Sequence, residues 1–121
     1  MNIDAALKEA TSVDGAIGAA LVDYESGMAL GTVGGGTGLD LEVAAAGNTE
    51  VVRAKVRTLS MLGLDDTVED ILITLGTQYH LIRLLSGSNG SLFLYLALDR
   101  SRSNLALARH VLKRVEAELE V

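Results

Sequence analysis

Residues 91–98 read Ser-Leu-Phe-Leu-Tyr-Leu-Ala-Leu, and no other stretch restricts the fold as much. In a strand, successive side chains point to opposite faces. Leu92, Leu94, Leu96 and Leu98 then lie on one face, and Phe93, Tyr95 and Ala97 on the other. Neither face suits water, so a sheet built around this strand needs cover on both sides.

The remaining elements supply that cover. Residues 3–10 place Ile3, Ala6, Leu7 and Ala10 at helical spacing, and Asp14-Gly15 ends the segment. An apolar run at 16–24, a turn at Glu25-Ser26-Gly27 and a second run at 28–32 read as a hairpin. Gly34-Gly35-Gly36-Thr37-Gly38 reads as a flexible connector into the longest helix, residues 39–62, which Gly63 stops. Strands follow at 69–75, 79–85 and 91–98, with turns at Gly76-Thr77 and Gly87-Ser88-Asn89-Gly90. A last helix, capped by Asn104 or Ser103, covers 105–119 with Leu105, Ala108, Val111, Leu112, Val115 and Leu119 on one face. The order α-β-β-α-β-β-β-α predicts one α/β (α+β) domain over 1–121. Its five-stranded sheet should be largely antiparallel, with the long helix on one face and the terminal helices on the other.

Composition excludes several functions. With no cysteine there is no disulfide framework, no thiolate nucleophile and no Cys-based zinc site. A net charge of −6 without a basic-aromatic cluster argues against nucleic acid. No apolar run approaches a membrane span, and the opening Met1-Asn2-Ile3-Asp4 is not signal-like, so a cytoplasmic chain without membrane insertion is expected.

The long helix carries two apolar stripes at about 100° per residue. Leu41, Ala45, Val52, Val56 and Leu59 form one; Val43, Ala44, Gly47, Val51, Ala54, Met61 and Leu62 form the other. Asn48 and Lys55 lie between them, and Glu42, Thr49, Glu50, Arg53, Arg57 and Ser60 fill the polar side. One stripe suffices for resting on a sheet. The second calls for a second copy of the helix, or for deep burial within the domain. Ile71-Leu72-Ile73 points to a second copy too, because an apolar strand without lysine or proline would be an unguarded edge. Glu69-Asp70 would otherwise give it modest protection. The dimer surface is thus expected at Val43, Ala44, Gly47, Val51, Ala54, Met61, Ile71 and Ile73, and a further partner at Glu42, Glu50, Arg53 and Arg57.

These features together resemble a known family. The element order, the Ala-rich helix closing in Leu62-Gly63-Leu64 and the strand Val68-Glu69-Asp70-Ile71-Leu72-Ile73 are similar to the roadblock/dynein light chain family. The opening Val13-Asp14-Gly15-Ala16-Ile17-Gly18-Ala19-Ala20-Leu21-Val22-Asp23 resembles its prokaryotic branch of Ras-like GTPase regulators. The resemblance spans the chain; the glycine-rich 34–38 departs from it. It implies a homodimer joined at middle-strand edges with long helices side by side, a Ras-like small GTPase as partner, and no catalytic residues. It also implies a profilin-like fold, and sheets of that shape serve elsewhere as small-molecule sensors. Asn48, Tyr79, His80 and Arg83 are the polar groups such a site could use.

Motifs for chemistry are incomplete. The glycine run lacks the Lys of a phosphate loop and is followed by Asp40. Asp65-Asp66 with Glu69 and Asp70 lacks calcium-loop spacing and reads as a solvated turn. His80 and His110 have no second ligand at i+3 or i+4, and no serine sits in a nucleophile elbow. No metal or cofactor is expected. Arg100-Ser101-Arg102-Ser103 reads as a solvated basic loop. Arg53 and Arg57 could complete a GTPase site, though pairing with Glu50 or Glu42 is the plainer expectation.

Overall fold

The computed structural model describes residues 1–86 and 90–120. Among them the expected order appears: α1 (Ile3–Ala10), β1 (Ala16–Asp23), β2 (Met28–Gly34), α2 (Leu41–Met61), β3 (Asp70–Thr74), β4 (Gln78–Leu84), β5 (Leu92–Asp99) and α3 (Leu105–Glu118). A 3-10 turn at Arg100–Arg102 precedes α3. Of the turn expected at Gly87-Ser88-Asn89-Gly90, the first three residues lie outside the described residues.

The five strands form one antiparallel sheet in the order β2-β1-β5-β4-β3. The doubly apolar strand is central, as its sequence demands. Leu94, Leu96 and Leu98 join Ala19, Leu21, Leu7, Ala108 and Leu112 in a core beneath α1 and α3. Phe93, Tyr95 and Ala97 join Ala20, Val22, Leu41, Ala45 and Val52 in a second core beneath α2. The side chains of Asn2, Asp40 and Asn104 cap the three helices.

Helix α2 starts at Leu41 rather than Leu39, because the Asp40 carboxylate accepts from the Glu42 and Val43 N–H groups at 3.0 and 3.2 Å. It carries the chain from one sheet edge to the other, and its 21 residues span about 31 Å against roughly 19 Å for four strand spacings. Its buried positions, Leu41, Ala45, Thr49 and Val52, all lie in its first part. Val56 is exposed and Leu59 only half-buried, so the stripe expected to run the helix's length meets the sheet only as far as Val52. Thr49, expected on the polar side, is 2% exposed, and its hydroxyl donates to the Ala45 carbonyl at 2.7 Å. That bond satisfies the hydroxyl within the helix and lets its methyl group face inward.

The glycine run is not a loose connector. Strand β2 extends through Gly34, which pairs with Gly18, and the Gly35 N–H donates to the Ile17 carbonyl at 2.9 Å. Gly35 has φ +81°, and a Cβ there would stand 2.8 Å from the Leu39 oxygen. The backbones approach as closely as glycine permits, and only Gly36 and Gly38 face open space.

Candidate interaction surface

The second stripe of α2 faces outward. Val43, Gly47, Val51, Ala54 and Met61 are exposed and Ala44 is half-buried. Val43 is 68% and Met61 78% exposed, so deep burial within the domain does not account for the stripe. Glu42, Glu50 and Arg57 are exposed on the polar side, and none forms an ion pair among the described residues. Arg53 does not pair with Glu50 or Glu42. Its Nε donates to the Tyr24 carbonyl at 2.6 Å and its guanidinium also reaches the Glu25 carbonyl, tying α2 to the β1–β2 turn.

The two sheet edges differ. Strand β3 pairs with β4 in unbroken register from Asp70↔Arg83 to Thr74↔Tyr79. Strand β2 pairs with β1 through a shift: Leu21 opposes Gly31 and Val22 opposes Ala29, leaving Leu30 as the extra residue of a bulge. A bulge twists an edge away from further pairing, so β2 is protected and β3 is not. The Asp70 carboxylate accepts from Arg109 of α3 at 3.1 Å, which draws it away from guarding β3. Ile71 and Ile73 are half-buried on the α2 side of the sheet.

A chain of polar groups runs beneath this face. The Tyr95 hydroxyl of β5 lies beneath Asn48 of α2. That hydroxyl lies 3.2 Å from His80 Nδ1, and His80 Nε2 lies 2.8 Å from Gln78 Oε1. The His80 and Tyr95 rings meet edge to face. Burial holds the His80 imidazole below its ordinary value and pushes the Tyr95 phenol up to about 12, against the opposing pull of the nearby Asn48 side chain. Of the four groups considered for a ligand site, Asn48 and His80 thus approach the same tyrosine, whose role the sequence did not signal. Tyr79 and Arg83 belong elsewhere: Arg100 lies over the Tyr79 ring, and the Arg83 Nε donates to Glu116 of α3 at 2.6 Å.

Beyond Val52, the last buried position of α2, a cavity of about 530 Å³ opens between Val56, Leu59 and Ser60 above and Leu84 and Leu85 below. Of the four groups, only Arg83 lines it. At the start of α2, the Asp40 carboxylate occupies the N–H groups a phosphate would need. Among the described residues no cluster of three or more His, Asp or Glu side chains could hold a metal ion. No helix among them is long and apolar enough to cross a membrane.

No protein-family model matches the chain, and no curated protein does. Solved structures do. The Roadblock/LC7 domain from Streptomyces avermitilis aligns with a TM-score of 0.80 at 15% identity, covering 97% of this chain and 93% of that one. Myxococcus xanthus MglB aligns at 0.76 with 18% identity, covering 94% and 78%. A structure described as MglB with tetrameric arrangement aligns at 0.69 with 18% identity, covering 95% and 88%. The fold is that of the roadblock domain, with its open antiparallel sheet and three helices.

Proposed function

We propose that this chain is a cytoplasmic, homodimeric regulator or scaffold that binds a Ras-like small GTPase and favours one of its nucleotide states. The observation carrying this reading is the open α2 stripe on the same side of the sheet as the regular, unguarded β3 edge. A second copy placed there buries an apolar face and an unpaired ladder at once. Two further supports are the fold likeness to MglB and the sequence resemblance to GTPase regulators. The dimer surface is then Val43, Ala44, Gly47, Val51, Ala54, Met61, Ile71 and Ile73, and the partner side Glu42, Glu50 and Arg57. Arg53 is exposed on the same side, with its guanidinium held by the Tyr24 and Glu25 carbonyls.

The chain acts by binding: a regulator that prefers one conformation of its partner shifts that partner's population without chemistry of its own. Pull-down of the small GTPase encoded nearest to it, loaded with GDP or with a GTP analogue, tests the reading. Preferential retention of one form is expected, and negligible retention of both would overturn it. Arg57→Ala should leave any effect on GTP hydrolysis within about twofold, whereas loss of a true Arg finger costs roughly a thousandfold.

A further inference from the structure

The line Asn48–Tyr95–His80–Gln78 spans α2, β5 and β4 and lies at the surface where the second copy is proposed to sit. His80 is the cross-strand partner of Ile73 in β3. Asn48 lies one helical turn from Ala44 and from Val51. Both ends of the line therefore adjoin residues of the proposed interface. In the neutral imidazole, Nε2–H donates to Gln78 and Nδ1 accepts from the Tyr95 hydroxyl. Protonation turns Nδ1 into a donor. The Tyr95 hydroxyl must then turn its own proton away from the ring and accept instead.

Among the described residues no carboxylate comes within ion-pairing distance of the His80 ring. Strand β3 presents Ile71 and Ile73 to this side of the sheet. Strand β5 presents Tyr95 and, at its end opposite Gln78, Asp99, whose carboxylate is engaged by the backbone N–H and hydroxyl of Ser101. Helix α2 presents Asn48 and, two turns further along the same line, Lys55, a like charge. On β4 itself, Ile82 shares the face, while the neighbouring Arg83 reaches to Glu116 on the other side of the sheet.

We infer that His80 makes self-association of this chain depend on pH, the dimer being favoured while the imidazole is neutral. The inference rests on the dimer reading above. Covering this face with a second copy removes the water that would solvate the charged ring, so the dimer binds fewer protons than two monomers. Its association must then weaken as the pH falls. Each dimer holds two such rings, so the effect is doubled.

Sedimentation of the whole chain over a concentration series at pH 7.5 and pH 5.5 tests this directly. The dissociation constant is expected to rise roughly tenfold at the lower pH. His80→Gln should flatten that dependence, while His110→Gln, on the exposed side of α3, should leave it unchanged. A constant that does not change with pH, or a slope retained in His80→Gln, overturns the pH inference and leaves the dimer standing. A monomer at pH 7.5 at every concentration overturns the dimer reading and this inference with it. Should His80→Gln not fold, an NMR titration of His80 in the parent chain above and below the dissociation constant decides the matter. A more acidic imidazole in the dimer is expected, and identical titrations overturn the inference.

Discussion

Gly35 holds a left-handed backbone between Ile17 on one side and the start of α2 on the other. Alanine there meets both backbone strain and the Leu39 oxygen, so Gly35→Ala should cost about 1–3 kcal/mol in urea unfolding. Gly38→Ala, in open space without a positive φ, should change stability by less than about 0.5 kcal/mol. The contrast was not legible in the sequence. A run of glycines reads as slack, and what fixes this one is Gly18, sixteen residues away on the neighbouring strand. Arg53 and Thr49 were opaque for a similar reason. Helical periodicity puts both on the polar side, yet the β1–β2 turn packs there, so that Thr49 is covered and Arg53 meets two carbonyls. Substituting Arg53 by Ala should destabilise the chain by about 1 kcal/mol while leaving the helix intact by circular dichroism.

Elements were more legible than residues. The doubly apolar β5 implied a central strand with helices on both faces, because that follows from alternation alone. The limit came with α2, whose stripe looks continuous but whose buried positions end at Val52. On the opposite face, Glu116 ties α3 to β4 and to Ser86. Burial alone would raise its carboxyl; the Ser86 N–H, Arg83 and the Ser86 hydroxyl more than offset this and hold it below the usual range. A group more acidic when folded than unfolded adds stability above its unfolded value, and this is lost as the pH falls through the folded one. Stability should therefore stay level near neutrality and decline below about pH 4.5. Asp23, held low by the Glu25 N–H, and Asp99, held low by the Ser101 hydroxyl, act in the same direction. Glu116→Gln should cost about 1–2 kcal/mol at pH 7 and less at pH 3.5, with a shallower acid slope in urea midpoints.

At the scale of the whole molecule, the open stripe and the regular β3 edge lie on one side of the sheet. Light scattering after gel filtration should give about twice 12.7 kDa for the parent chain. Val51→Glu, at an exposed position, and Ile73→Lys, on the edge strand, should each give the single-chain mass. Of the two, Val51→Glu should keep the parent's unfolding midpoint at low concentration, since its side chain faces water in the single chain. The bulge at Leu30 has a consequence for how such an assembly ends. A chain with two equally receptive margins would add copies at both ends and grow into a ribbon. With one margin straight and the other kinked, pairing like with like uses up the only receptive margin, and assembly by this route closes at two. Deleting Leu30 would straighten the second margin, and masses above the dimer that rise with concentration are the expected result.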